Sequence, residues 1–193
     1  MNISAISITQ IAIVIAVAFV ATACIGILLF TRKRRTNRLR NQFGGAEYTL
    51  AVKEGRSKRR AEAALDKRAE RVEGFHIKPV GAGERARFVE TWGKVQARFV
   101  DDPGIAVTDA DQLLGDVMST RGYPVSDFEQ RAADISVAYP LVLGNYRSAH
   151  AIAVRQTRGQ ASTEELRQAM IQYRTLFDEL VGAPEMASAK AAS

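Results

Sequence analysis

The sequence predicts an all-α protein with an N-terminal transmembrane helix, a charged neck helix and a small helical bundle of about five helices. Between Met1 and Phe30 there is no charged side chain. Beyond this stretch, apolar residues recur every three or four positions, and capping residues and glycines interrupt the pattern at helical distances. The chain therefore divides into an anchor (residues 1–31), a basic juxtamembrane neck with one or two helices (32–81), a helical bundle (82–182) and a disordered tail (183–193).

The apolar run from Ile11 to Phe30 is the predicted anchor. At about 1.5 Å per residue, about twenty helical residues span roughly 30 Å, the thickness of the hydrocarbon core of a bilayer. The segment "ATAC", which ends at Cys24, is similar to a signal-peptidase or lipoprotein site, so cleavage and lipidation are the alternatives. A cleaved signal has a cationic start and a polar mature end, whereas this run starts uncharged and continues to Phe30. The sequence favours an uncleaved anchor.

A cluster of six cations follows the run, and no acidic residue occurs before Glu47. Cationic flanks are retained on the cytoplasmic side of a membrane. This predicts a single-pass protein of the plasma (inner) membrane with the bulk of the chain in the cytoplasm; the alternative is that the bulk is extracytoplasmic. Anionic lipid headgroups are the expected partner of the same side chains. These are Arg32, Lys33, Arg34, Arg35, Arg38 and Arg40.

The charge of the chain is distributed unevenly. The formal net charge is +6, and residues 32–78 contain 15 Lys and Arg against 6 Asp and Glu. Residues 79–193 contain 12 Lys and Arg against 15 Asp and Glu. The predicted bundle is therefore mildly acidic, whereas a nucleic-acid-binding domain presents a basic face. No nucleic-acid partner is expected.

Two helices are predicted in the neck. The adjacent glycines Gly44 and Gly45 interrupt the helix that leaves the apolar run, because each glycine disfavours a helix by about 1 kcal/mol. We expect a hinge at this pair and a short helix over residues 46–54. The next helix is predicted between Ser57, a favourable N-cap residue, and Gly74, a C-terminal stop.

The second neck helix has a narrow apolar face made of Ala61, Leu65, Ala69 and Val72. An isolated helix of this length is marginal in water, and so small a face buries little area. We expect it to be ordered by packing on the bundle, by pairing with a second copy, or by meeting a protein partner or the anionic bilayer. Leu65 and Val72 are therefore candidate partner-binding residues. Tyr123 is a third candidate, and a buried turn residue is its other interpretation.

The bundle is predicted from apolar faces at helical spacing. Its core is expected to form where these faces meet, with one further short helix in the middle of the segment. The inward residues are Phe88, Trp92, Val95 and Phe99; Ala106, Ala110, Leu113, Leu114, Val117 and Met118; Val142, Tyr146, Ala149 and Ala153; and Leu166, Met170, Tyr173, Phe177 and Leu180.

Capping patterns predict where three of the bundle helices begin. Asp102 precedes a proline, which is favoured at the first helical position. The segment "SDFE" offers a capping box between Ser126 and Glu129, and "STEE" offers another between Ser162 and Glu165. In such a box each side chain accepts a hydrogen bond from a free backbone amide at the helix start.

Several separated motifs occur in one order along the chain. They are "FGGAEY", "RGYP", "FEQRAAD", "NYRSAHAIA" and "STEELRQAMIQYRTLFDEL", behind an N-terminal apolar run. In this order they resemble a family of uncharacterised bacterial single-pass membrane proteins, some of them labelled hypothetical or secreted. The resemblance covers residues 39 to 180 and implies the architecture above. It implies no activity, substrate or catalytic residue.

The chemistry-bearing residues form no recognisable motif. His76 lies in a connector, and His150 has Tyr146 and Val154 four positions before and after it, so neither histidine has a partner for a metal site. The chain has no G-x-S-x-G turn for a serine nucleophile. No cofactor or metal is predicted.

Two classes of function remain. The favoured one is a membrane-anchored helical interaction or scaffold module, not an enzyme, at the inner face of a bacterial plasma membrane. Its partners would be the bilayer and either a second protein or a second copy of the chain. The alternative is a helical enzyme or small-ligand binder with a pocket near Tyr146, Arg147 and His150, whose polar groups converge only in the folded chain.

Overall fold

The computed structural model describes residues 8–55, 57–124 and 126–182, and for residues 8–16 and Ala46 it describes the backbone alone. These residues form seven α-helices and no strand, which confirms the all-helical fold class. The predicted tail, residues 183–193, lies outside the described residues. The helices are α1 (Ile8–Glu54), α2 (Lys58–Glu73), α3 (Ala82–Asp101), α4 (Pro103–Thr120), α5 (Phe128–Ala138), α6 (Pro140–Gln156) and α7 (Thr163–Gly182).

Helix α1 is bent at the predicted glycine pair. Gly44 has a φ of 71° and a ψ of 160°, a combination that is not helical and that glycine adopts without a Cβ clash. The chain returns to helical geometry after the bend and continues to Glu54, so the short helix predicted over residues 46–54 is confirmed. The predicted hinge is therefore a kink within one long element.

Residues 17–30 of α1 expose their large apolar side chains. Among the residues that the structure describes, no helix is both long enough and apolar enough to cross a membrane. The predicted anchor, residues 1–31, lies partly outside those residues. Its exposed large apolar side chains are Val17, Phe19, Val20, Ile25, Ile27, Leu28, Leu29 and Phe30.

Helices α3 to α7 surround the main hydrophobic core. Helix α7 packs against α4 and α6, and α4 also contacts α3, so the apolar faces predicted for these four helices meet one another. Trp92 of α3 stacks on Phe177 of α7 with 4.8 Å between ring centroids. The predicted inward residues are buried, except that Phe88, Phe99 and Ala153 are only partly buried against the core.

A second, smaller core joins α1 to α2. Leu39 and Phe43, from the segment of α1 before the kink, pack with Leu65 of α2 and are fully buried. Val137 of α5 lies against this cluster, and both α1 and α2 contact α5. The neck helix is therefore ordered by packing within the chain, the first of the alternatives that its narrow apolar face left open.

The helix starts follow the capping predictions with one exception. Asp102 accepts a hydrogen bond from the amide of Ile105 at 3.0 Å, and the box at Ser162 forms as predicted. The box predicted at Ser126 is wrong, because α5 begins one residue later. Asp127 accepts the hydrogen bond from the amide of Gln130 at 2.9 Å.

Candidate functional site

The six cations predicted to contact lipid are all exposed, but two of them pair with a carboxylate within the chain. Arg35 donates from Nε to Asp66 Oδ2 at 2.8 Å, and Arg38 donates from Nη2 to Asp66 Oδ1 at 2.7 Å. Arg34 lies over the ring of Phe30 at 4.5 Å. Arg35 and Arg38 thus hold α2 against α1 through Asp66, and their contact with lipid headgroups stays a prediction.

Glu62 of α2 contacts α1 on both sides of the kink. One oxygen, Oε1, accepts from the hydroxyl of Thr36 at 2.7 Å and from the hydroxyl of Tyr48 at 2.9 Å. Thr36 precedes Gly44 in the chain and Tyr48 follows it. Burial and the hydrogen bond to Glu62 raise the pKa of Tyr48, so the phenol stays a donor at neutral pH.

Glu47 connects three helices through a buried carboxylate. Arg68 of α2 donates to its Oε1 at 2.8 Å, and Arg147 of α6 donates to both oxygens at 3.0 and 3.2 Å. Glu47 is 6% exposed. Because a buried charge is costly unless it is paired and hydrogen-bonded, these contacts specify how α1 and α2 dock on the bundle.

The three residues predicted to bind a partner are buried in the chain's own cores. Leu65 is 0% exposed, Val72 8% and Tyr123 3%. The ring of Tyr123 meets Phe75 edge-on, with 6.3 Å between centroids, and burial raises the pKa of its phenol. The prediction that these three residues form a partner-binding surface is therefore corrected, because their side chains are not accessible to a second molecule.

A group of polar side chains lies between α4, α5 and α6. Arg131 donates from Nη2 to Asp111 Oδ2 at 3.2 Å. The Nδ1 atom of His150 faces Asp111 Oδ1 at 3.7 Å, longer than a hydrogen bond, so the attraction is electrostatic. The imidazole of His150 stacks on the ring of Phe128 with 3.5 Å between centroids and 4° between planes. Stacking and charge together fix the imidazole ring.

Two buried tyrosines complete this polar cluster, which we define as Asp111, Arg131, Tyr146, His150 and Tyr173. Burial raises the pKa of Tyr146 and of Tyr173, and the charge of Asp111 raises both further. Burial also acts to raise the pKa of Asp111, but His150, Arg131 and Tyr173 outweigh it and hold that pKa below its ordinary range. The cluster therefore contains an ionised carboxylate and neutral phenols at pH 7.

A cavity of about 370 Å³ opens beside the polar cluster. His150 lines it, as predicted, but Tyr146 is fully buried and Arg147 is committed to Glu47. The sequence prediction did not include Asp111 and Arg131, the residues that give His150 its environment. The cavity is lined by Thr108, Asp111, Gln112, Arg131, His150, Ala153, Val154 and Thr157.

Within the described part of the chain, no group of three or more His, Cys, Asp or Glu could hold a metal ion. No protein-family model, curated protein sequence or solved structure matches the chain. The resemblance to a bacterial membrane-protein family stays a prediction.

Proposed function

We propose that the protein is a membrane-anchored helical interaction module, held at the inner face of a bacterial plasma membrane by the first half of α1. The observation that carries the proposal is the row of exposed large apolar side chains between Val17 and Phe30. Removing a large apolar side chain from water contributes roughly 1.5–3 kcal/mol. For eight side chains exposed by about 55 to 76%, this amounts to on the order of 10 kcal/mol in favour of an apolar surrounding.

The length of the apolar run supports a spanning arrangement. The residues from Val17 to Phe30 extend over roughly 20 Å as a helix, and the sequence continues apolar back to Ile11. The whole run then reaches roughly 30 Å, which matches the hydrocarbon core. Exposed cations begin at Arg32, and cations are retained on the cytoplasmic side. The bundle would therefore lie in the cytoplasm.

The polar contacts of α2 support a bundle that is held in one orientation relative to the bilayer. Because Glu47 and Glu62 fasten α1 to α2 and α6, the bundle cannot rotate freely about the anchor. A domain with a fixed orientation at the bilayer is suited to receiving a protein partner or a second copy of the chain. The cations without a partner named above, such as Arg32, Lys33 and Arg40, are available to anionic headgroups.

Membrane attachment is tested by alkaline carbonate extraction of membranes that contain the full chain. The wild-type chain is expected to stay in the pellet. The double variant Phe19→Asp and Val20→Asp is expected to move to the supernatant, because both positions lie near the middle of the run and a charge at the centre of a bilayer costs about 3 kcal/mol or more. The matched control, Leu141→Asp with Val100→Asp, alters residues that are 90% and 83% exposed outside the run and should stay in the pellet.

Sidedness and partnership need separate measurements. A reporter that is active only outside the membrane, fused after Ser193, is expected to be silent. Chemical cross-linking in native membranes is expected to capture a stoichiometric protein partner or a second copy. Extraction of the wild-type chain by carbonate would refute the anchor. An active reporter would refute the cytoplasmic placement of the bundle. A chain that stays monomeric and is not cross-linked to another protein would refute the interaction role.

A further inference from the structure

Unpartnered buried polar atoms are concentrated in the polar cluster. Ten buried side-chain nitrogen and oxygen atoms of the described residues have no hydrogen-bond partner, and five of them belong to this cluster. Burying such atoms without partners costs free energy, and residues that keep them in a protein interior are often functional. The five atoms are Asp111 Oδ1, Arg131 Nε, Tyr146 OH, His150 Nδ1 and Tyr173 OH.

The arrangement of the cluster favours one position for the hydrogen on His150. An ionised carboxylate is only an acceptor, so the charge of Asp111 at 3.7 Å favours the tautomer that carries the hydrogen on Nδ1. In a neutral imidazole the other nitrogen, Nε2, is then an acceptor. The side chain of His150 is 24% exposed although Nδ1 is buried, so the exposed edge of the ring is the one that bears Nε2. Phe128 stacks on one face of the ring and restricts the plane in which it lies.

The surroundings of this acceptor define what could bind to it. Ala153 and Val154 supply an aliphatic wall beside His150, and the volume of about 370 Å³ is in the range of small-molecule sites. The charge of Arg131 is already balanced by Asp111, so the site has no surplus positive charge to attract an anion. A neutral molecule with an apolar body and a hydrogen-bond donor matches both features.

We propose that the cavity between α4, α5 and α6 is a binding site for a small neutral molecule that has an apolar body and one hydroxyl group, which donates a hydrogen bond to His150 Nε2. Asp111 is a positioning residue in this site, because it acts on the ligand only by holding the tautomer of His150. The proposal is independent of the anchor proposed above, since every residue that it uses lies in the bundle.

The test uses the full chain in detergent micelles, labelled with ¹⁵N in its two histidines. Phenol is the probe, and anisole, which has a similar shape but no hydroxyl hydrogen, is the matched ligand. Phenol is expected to shift the Nε2 resonance of His150 saturably and to bind severalfold more tightly than anisole, since anisole has no hydroxyl hydrogen to donate to Nε2. His76, which is exposed in the connector before α3, should not respond.

Two variants and one spectrum make the outcome decisive. His150→Phe keeps a ring against Phe128 and should bind phenol no better than anisole by saturation-transfer NMR, whereas His76→Phe should keep the preference. The ¹⁵N spectrum of the wild-type chain should place the proton on Nδ1 of His150, a readout that does not require any variant to fold. Equal binding of phenol and anisole, no shift at His150, or a proton on Nε2 would each overturn the proposal.

Discussion

Replacing Leu65 with alanine tests whether α2 is a structural part of the fold. Leu65 is fully buried in the smaller core, where its neighbours include Phe43, Ala51 and Ala61. Truncating a buried leucine to alanine costs about 2 to 5 kcal/mol, and the cost rises with the volume of the cavity that remains. The alanines are too short to fill that space and Phe43 is itself fully buried. We therefore expect the free energy of unfolding to fall by about 3 kcal/mol.

The matched control is the same chemical change at Leu141, which is 90% exposed. Leu141→Ala should alter the free energy of unfolding by less than about 0.5 kcal/mol, as is usual for surface positions. Denaturant unfolding of the full chain in micelles is followed by circular dichroism and by the fluorescence of Trp92. Trp92 is the single tryptophan and lies in the main core, so it reports on a different cluster from the one altered.

Both probes are expected to shift together, because α1 and α2 contact α5 and couple the two cores. A dichroism transition that moves while the Trp92 transition does not would show that the smaller core unfolds separately. If Leu65→Ala and Leu141→Ala cost the same, α2 is not packed as described and the argument for an ordered neck fails.

The other predictions concern charge, capping and pH. Glu47→Gln should lower the free energy of unfolding by about 2 kcal/mol in the same denaturant assay. This is less than the usual cost of breaking a buried ion pair, because both arginine partners are 25% exposed. The control Glu90→Gln alters an exposed pair and should leave the denaturation midpoint unchanged. Asp127→Ala should cost about 1 kcal/mol, whereas Ser126→Ala should cost little, because Asp127 caps α5. The raised pKa values of the buried tyrosines stabilise the fold fully below their unfolded pKa of about 10, and this contribution is lost as the pH rises above it. The part of the tyrosinate absorbance that comes from the buried phenols should therefore appear together with the loss of helical dichroism. Ionisation of all the tyrosines before that loss would contradict the buried environment. The buried phenols are those of Tyr123, Tyr146 and Tyr173.

The helices could be predicted from sequence because their signals are local. Apolar spacing and capping residues decide a helix within a few positions, and these signals located α3, α4, α6 and α7. The error at α5 has a simple cause. Ser126 and Asp127 are adjacent and both are good N-cap residues, so local chemistry cannot choose between them. In the structure the hydroxyl of Ser126 instead lies 3.5 Å from the carbonyl oxygen of Pro124.

The packing of the neck could not be predicted, because its partners are distant in sequence. Leu39 and Phe43 lie in or beside the run of cations that the sequence assigned to a basic neck, yet they are two of the five buried residues of the smaller core. Glu47 and Arg147 are 100 residues apart, and a single sequence carries no signal for such a pair. Only the folded chain shows which of the three routes orders α2.

The polar cluster did leave a signal that could have been recognised. Asp111 follows Val107 by four positions and precedes Leu114 by three, so it lies on the inward face of α4 among buried residues. Arg131 follows Phe128 by three positions and precedes Ile135 by four on α5, so it also lies beside residues that face the core. A charged residue within an apolar helical face has to be paired in the folded protein, and two such residues of opposite sign predict a buried pair.

A glycine bend in an isolated helix is flexible, but at Gly44 the helix segments before and after the bend are both hydrogen-bonded to α2. A single oxygen of Glu62 holds both arms of α1, through Thr36 on one side and Tyr48 on the other. The two segments of α1 are therefore both tied to α2, and the angle between them cannot change unless one of these two hydrogen bonds breaks. A torque on the apolar arm is transmitted to α5 and α6 instead of being absorbed at the glycine. Gly44 thus allows the bend in α1, and Glu62 restricts the angle between the two segments.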